Sequence, residues 1–204
     1  NGNGFEIEIN NLSLYRGLFN FSDQNNIFNF DPIYLYPKIK NLKITLNNSI
    51  LEDKGGGFIK PNSNYFIIDS CIFTGEIKGD YSGGICGSSC GSKFGKIIIR
   101  NSISSGDITG NHSGGISGSS TGELIGNVLI TECFTIGIIK GSYSGGIIGD
   151  NFGNNNNKTS QEIFKILENE NPNVFGLFEK LATNYYPGCV ISNCYSSGSI
   201  LGNN

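Results

Sequence analysis

The side chains with chemistry to offer are one histidine, six cysteines and two acidic residues in matching positions. A Ser-His-Asp hydrolytic site needs the imidazole beside a hydroxyl and a carboxylate, and a zinc site built on histidines needs more than one. His112 instead has Tyr81 and Tyr143 standing 31 residues to either side, a pattern that suits a ladder of stacked rings. Cys86 and Cys90 lie four apart, and 31 residues on their places are taken by Ser117 and Thr121. A metal would need two further ligands, of which Cys71 is the one candidate, so a local disulfide or a pair of free thiols is the expectation. Cys133 and Cys194 belong to a column Cys71, Ser102, Cys133, Cys194, in which a disulfide between neighbours and a buried row of thiols both fit. Glycoside cleavage asks for convergent carboxylates. Glu76 and Asp107 share a column, but it continues as Ile138 and Ser199, and Lys78 and Lys140 lie two positions along. That is the pattern of a screened surface face. Asp69 and Arg100 stack in the same way and read as an ion pair between neighbours, worth little if exposed.

Those columns follow from an internal repeat. Gly83-Gly84-Ile85 recurs as Gly114-Gly115-Ile116 and Gly145-Gly146-Ile147, each copy 31 residues after the last. Ser82, Ser113 and Ser144 keep the same step, as do Gly75, Gly106 and Gly137. With 30 glycines among 204 residues the chain is either disordered or full of tight turns. Isoleucines held in register decide for turns, because a disordered linker has no reason to keep β-branched residues at a fixed period. Two columns alternate at the strand period of two: Phe66, Ile97, Val128, Cys189, and Ile68, Ile99, Ile130, Ile191. Two more run Ile77, Ile108, Ile139, Ile200 and Ile85, Ile116, Ile147. Parallel coils of 31 residues, stacked so that like residues lie over one another, satisfy all four. Whether Cys71, Ser102, Cys133 and Cys194 point inward, or their neighbours Ile72, Ile103, Phe134 and Tyr195 do, stays open. Gly56-Gly57-Phe58 and Arg16-Gly17-Leu18 read as degenerate upstream copies.

The phrase Asn193-Cys194-Tyr195-Ser196-Ser197-Gly198-Ser199-Ile200, with Tyr143-Ser144-Gly145-Gly146-Ile147-Ile148-Gly149, resembles the GLUG-type tandem repeat. Similar arrays occur in bacterial surface and adhesin-like proteins, and Asn- and Ile-rich versions in giant viruses. The resemblance spans roughly 66–153 and 189–204. It implies an all-β, right-handed parallel β-helix on an extracellular, virion or cell-envelope surface, used in adhesion or assembly. It implies no catalytic residues and no cofactor. The expected partners are other protein chains, by self-association or with particle or envelope proteins, and surface glycans. A carbohydrate-active β-helix enzyme and a passive spacer in a longer protein are the alternatives.

The net charge of −3 has no basic cluster, which argues against nucleic acid, and the longest apolar runs are too short to span a bilayer. A chain without methionine that opens on Asn1 is expected to be a processed form or an excised piece. Residues 1–204 are read as one solenoid domain with two departures. The stretch 154–188 is expected to be a helical insertion. It opens on a capping box at Thr159 and Glu162, and Phe164, Leu167, Phe175 and Phe178 form its apolar stripe. The aromatic-rich stretch 19–36, with Phe28, Phe30 and Tyr34, reads as a loop that folds over an end or meets a neighbour. The last coil stops at Ile200 and Leu201 before its Gly-Gly-Ile segment, so these two are expected to be covered by a partner chain or by one of the two departures.

Overall fold

The computed structural model describes residues 1–21, 36–93, 95–156, 158–159, 162 and 188–202. Within them the regular structure is nearly all parallel β, arranged as two sheets. One sheet has six strands: β1 (Glu6–Asn10), β3 (Lys43–Asn47), β5 (Ile72–Thr74), β7 (Ile103–Ser105), β9 (Phe134–Ile136) and β11 (Tyr195–Ser197). The other has five: β2 (Lys38–Lys40), β4 (Tyr65–Asp69), β6 (Lys96–Arg100), β8 (Asn127–Thr131) and β10 (Gly188–Ser192). Consecutive strands therefore alternate between sheets, an arrangement compatible with a parallel β-helix. Register follows the repeat: β4 pairs β6 with Phe66 opposite Ile97, and β6 pairs β8 with Ile97 opposite Val128.

A two-residue corner joins each strand of the five-stranded sheet to the next strand of the other. Its first residue has left-handed backbone: Asn41, Ser70, Asn101, Glu132 and Asn193, all with φ between 52° and 57°. Asparagine tolerates that conformation better than most residues, which accounts for three of the five. The second residue points inward. Leu42, Cys71, Ser102 and Cys133 are buried while Ile72 is 38% exposed and Tyr195 68%, so the cysteine column, not its neighbour, lines the interior. Ser102 is accommodated there because its hydroxyl donates to the Arg100 carbonyl and accepts from the Cys71 amide.

The Ser-Gly-Gly-Ile segments form a third run of single parallel bridges, from Gly56 through Gly83 and Gly114 to Gly145. The serines stitch it together. Ser113 Oγ accepts from the Ser82 amide at 3.0 Å and donates to the Gly79 carbonyl at 2.9 Å, and Ser144 does the same for Ser113 and Gly110. Glycine is obligatory at the centre, since a Cβ on Gly115 would collide with the Gly146 carbonyl oxygen and the Thr135 side chain. Ile85 and Ile116 are fully buried and Ile147 is partly buried against the same core.

Four expectations need adjusting. Strand β10 pairs directly with β8, Cys189 opposite Val128, and Gly188 belongs to the strand rather than to the insertion. Asn154 and Asn155 remain in the stack, bonding Leu124 and Ile125, so the insertion is shorter at both ends than 154–188. Phe19 and Phe21 are not a free loop: they bond the backbone of Phe58, Lys60 and Asn64, and their rings stack on one another with Phe21 against Phe66. Strands β1, β2 and β3 were not anticipated, because upstream layers are separated by 29 and 37 residues rather than 31. The capping box forms as expected, with Thr159 Oγ1 accepting from the Glu162 amide and Glu162 Oε2 accepting from the Thr159 amide. The helices expected beyond it, with Phe164, Leu167, Phe175 and Phe178, lie outside the described residues, as do Phe28, Phe30 and Tyr34.

Burial along the isoleucine columns predicts their energetics. Ile116→Ala should cost about 2–5 kcal/mol and Ile200→Ala, at 74% exposure, less than about 0.5 kcal/mol, as read by urea denaturation of the two variants. Equal costs would contradict an interior built on the Ile85–Ile116 column.

Candidate functional site

The cysteines are interior packing. All six are free, and Cys71, Cys86, Cys90 and Cys133 are buried. Cys86 Sγ lies 3.0 Å from Ser117 Oγ, which in turn contacts Thr121 Oγ1 at 2.5 Å. The residues that replace the Cys86–Cys90 pair one repeat later thus continue the same buried polar thread. Burial pushes the Cys90 thiol well up, with the Cys86 thiol adding to the effect, and pushes Cys133 up to about 12. Protonated thiols in an apolar interior are neither metal ligands nor nucleophiles. Among the described residues no three His, Cys, Asp or Glu side chains converge as a metal site.

The acidic residues divide between partners. Glu76 accepts from the Thr109 hydroxyl at 2.8 Å, whereas Asp107 pairs with Lys140 at 2.7 Å and accepts from the Ile138 amide. The two carboxylates therefore serve different neighbours, as the screened-face reading expects. The Asp69–Arg100 ion pair forms as expected, and it is more buried than a surface pair. The Asp69 side chain is 5% exposed and sits among Arg100 at 2.9 Å, Lys38 at 3.2 Å and Lys40 at 3.8 Å, one cluster spanning three layers. Burial works to raise its pKa, but hydrogen bonds from Arg100, Ser70, Asn101 and Lys38 outweigh that and hold the carboxyl well below the usual carboxylate range.

On the surface, Tyr81, His112 and Tyr143 form the expected ladder. Ring centroids are 4.8 and 5.0 Å apart with planes within 10° of parallel. Each of the three residues has left-handed backbone, φ 55° to 62°, so the ladder marks a second corner of the stack. The sequence reading missed that His112 Nδ1 lies 2.8 Å from Asp150 Oδ2. The signal was there, since Asp150 follows Gly149 in the next Gly-Gly-Ile copy, but as a turn residue it carried no hint of its partner. A His–carboxylate couple needs a hydroxyl on the other ring nitrogen to act hydrolytically, and among the described residues none is bonded there.

Beside this ladder runs a groove of about 390 Å³. Lys54 and Tyr81 border one side, Asn62, Ser89, Ser120 and Asn151 the other, with Ser88 and Ser119 between. The walls are two columns of left-handed corners, and the Ser88 amide donates to the Lys54 carbonyl across the floor at 2.9 Å.

The last layer differs from the rest. Ile200 is 74% and Leu201 63% exposed, although Ile200 bridges Ile139 in the column that buries Ile77 completely. Strands β10 and β11 are the outer members of their sheets. Among the described residues no helix is long and apolar enough to cross a membrane. No family model, curated protein or solved structure matches the chain.

Two outcomes test this electrostatic account. Asp69→Asn should destabilise the fold by about 1.5–3 kcal/mol at neutral pH, a loss that shrinks as acid protonates the wild-type carboxyl. The depressed pKa means that Asp69 contributes fully above its unfolded value near 4, and the contribution is lost as pH falls through the folded one. Denaturation midpoints of both proteins from pH 7 to about 2 measure it. A thiol-reactive dye should label Cys71, Cys86, Cys90 and Cys133 only on unfolding. The raised pKa values of Cys71, Cys90 and Cys133 stabilise the fold below about pH 9, a contribution lost as pH rises toward the value near 12 of Cys133.

Proposed function

We propose that this chain is a non-enzymatic structural and adhesive module, a right-handed parallel β-helix that takes part in assembly or attachment at a virion or cell-envelope surface. Handedness is supported by strand twist, which makes connections between parallel strands of one sheet right-handed. The resemblance to GLUG-type repeats supports the surface setting.

The observation that carries the reading is the exposed last layer. An interior isoleucine column reaches the outer edge at Ile200, and strands β10 and β11 have no further strand paired beyond them among the described residues. Apolar side chains beside a free strand edge suit another chain adding its own layer, by the same parallel pairing that joins the layers within the protein. Self-association and docking of a different particle protein both use this edge. Leu201 extends the patch beyond Ile200, and the half-exposed Val190 and Ile191 carry it onto the second sheet.

Sedimentation velocity across a concentration series tests the assembly. The wild-type chain should associate as concentration rises, and Ile200→Asp with Leu201→Asp should weaken that association at least about tenfold. A wild-type chain that stays monomeric throughout would overturn the reading.

A further inference from the structure

The two sheets present different charge to the outside. In the five-stranded sheet Ile39, Phe66, Ile68, Ile97 and Ile99 point inward, so the alternate positions of those strands face out. On β2, β4 and β6 these positions carry Lys38, Lys40, Asp69, Lys96 and Arg100. Four cations against one carboxylate leave three positive charges unbalanced. The outward positions of the six-stranded sheet carry Glu6, Glu8 and Lys43, which leave one negative charge. The whole chain is at −3, so everything outside the basic face sums to −6.

Register packs these charges together. Lys40, Asp69 and Arg100 share one column across three layers, and Lys38 lies two positions back along β2. Parallel-strand spacing sets Lys40 and Arg100 roughly 10 Å apart along the stack, and Lys96 about 13 Å from Arg100 along β6. Asp69 does not neutralise the group. Its carboxylate is nearly buried, whereas the side chains of Lys38, Lys40 and Arg100 are 38% to 43% exposed. Arg100 bonds Asp69 through Nη2, and its Nε–H meets no acceptor. Lys96 pairs with no carboxylate among the described residues. Like charges held this close repel one another, and an anion laid over them relieves that repulsion.

Shape selects among anions. The face is a sheet surface, with Ile98 and Leu129 half-buried between the charged positions. It has no element that projects into a DNA groove, and only the Tyr65 ring for unpaired bases to stack on. A long duplex would also run past the patch onto an acidic remainder. A short, flexible anionic segment keeps its charges over the cations. We propose that the outer face of β2, β4 and β6 binds a short anionic segment of a glycan, its sulfate or carboxylate groups held by Lys38, Lys40, Lys96 and Arg100. The proposal rests on the adhesive part of the function above and names its ligand class.

Isothermal titration of the full chain reads the binding, with a heparin tetrasaccharide as the sulfated probe and tetragalacturonate as the carboxylate one. Cellotetraose is the neutral comparison and a short DNA duplex the phosphate one. At least one anionic tetrasaccharide should bind, with affinity falling at least about tenfold between about 50 and 200 mM salt. Lys38→Gln with Lys96→Glu should weaken it at least about tenfold while circular dichroism stays unchanged. Lys96→Glu alone removes no ion pair of the fold and should weaken it several-fold. Lys78, exposed outside both sheets, supplies the control, since Lys78→Glu changes net charge equally and should leave binding intact. Four results would overturn the proposal: no binding of either anionic glycan, equal binding of cellotetraose, tighter binding of the duplex, or a loss from Lys78→Glu as large as that from Lys96→Glu. Sedimentation of the same samples keeps the assembly reading separate, since a chain that associates but ignores every anionic glycan refutes the basic face alone.

Discussion

The constraint on which everything else depends is in-register parallel pairing between layers. Each backbone amide on one layer must find a carbonyl on the next, as the Ile103 amide finds the Cys71 carbonyl and the Phe134 amide finds that of Ser102. A parallel pair leaves no freedom to shift by one residue, because that would turn every interior side chain outward. The 31-residue step, the repeated corners and the Gly-Gly-Ile segments are consequences. So is the internal monotony: where like must stack on like, isoleucine over isoleucine packs without voids. Even the polar residues obey the rule, since Ser82, Ser113 and Ser144 each bond the layer beside them.

That constraint also explains which parts of the structure could be read from the residues. Columns repeated without gaps, such as Ile77, Ile108 and Ile139, had one sensible orientation. The cysteine column did not, because a left-handed corner resets the alternation. Ile68 and Cys71 both point inward although they lie three positions apart, and Ser70 between them absorbs the phase shift through its φ of 57°. Upstream layers escaped notice for a related reason. Their strands alternate well, as Lys43-Ile-Thr-Leu-Asn does, but unequal connections hide the period that announces the others. The direct pairing of β8 with β10 was legible, because Cys194-Tyr195-Ser196 repeats an earlier phrase even across the inserted segment.

The candidate functional features were less legible, and for a physical reason. Function here belongs to what the layers leave over at corners and edges, not to a motif. His112 and its neighbouring tyrosines could be aligned from the repeat, but the approach of Asp150 depends on how two corners fold toward one another. The groove arises in the same way, from residues of two separate corner columns. Serines such as Ser88 and Ser119 look like ordinary turn formers in a glycine-rich chain, and nothing in their spacing marks them as groove-lining residues. Asp69 gives the opposite lesson, since a pair that looked superficial proves to be a buried carboxylate tying three layers together.

Parallel pairing at a fixed offset is best tested in solution by amide-resolved NMR. Spectra of labelled protein should show contacts between backbone protons of Ile98 and Leu129, 31 residues apart, and of Leu129 and Val190, 61 apart, in the pattern of parallel strands. Cross-peaks linking β6 or β8 to a sequence neighbour in antiparallel hairpin register, with none at those offsets, would contradict the stacked-layer architecture and everything argued from it.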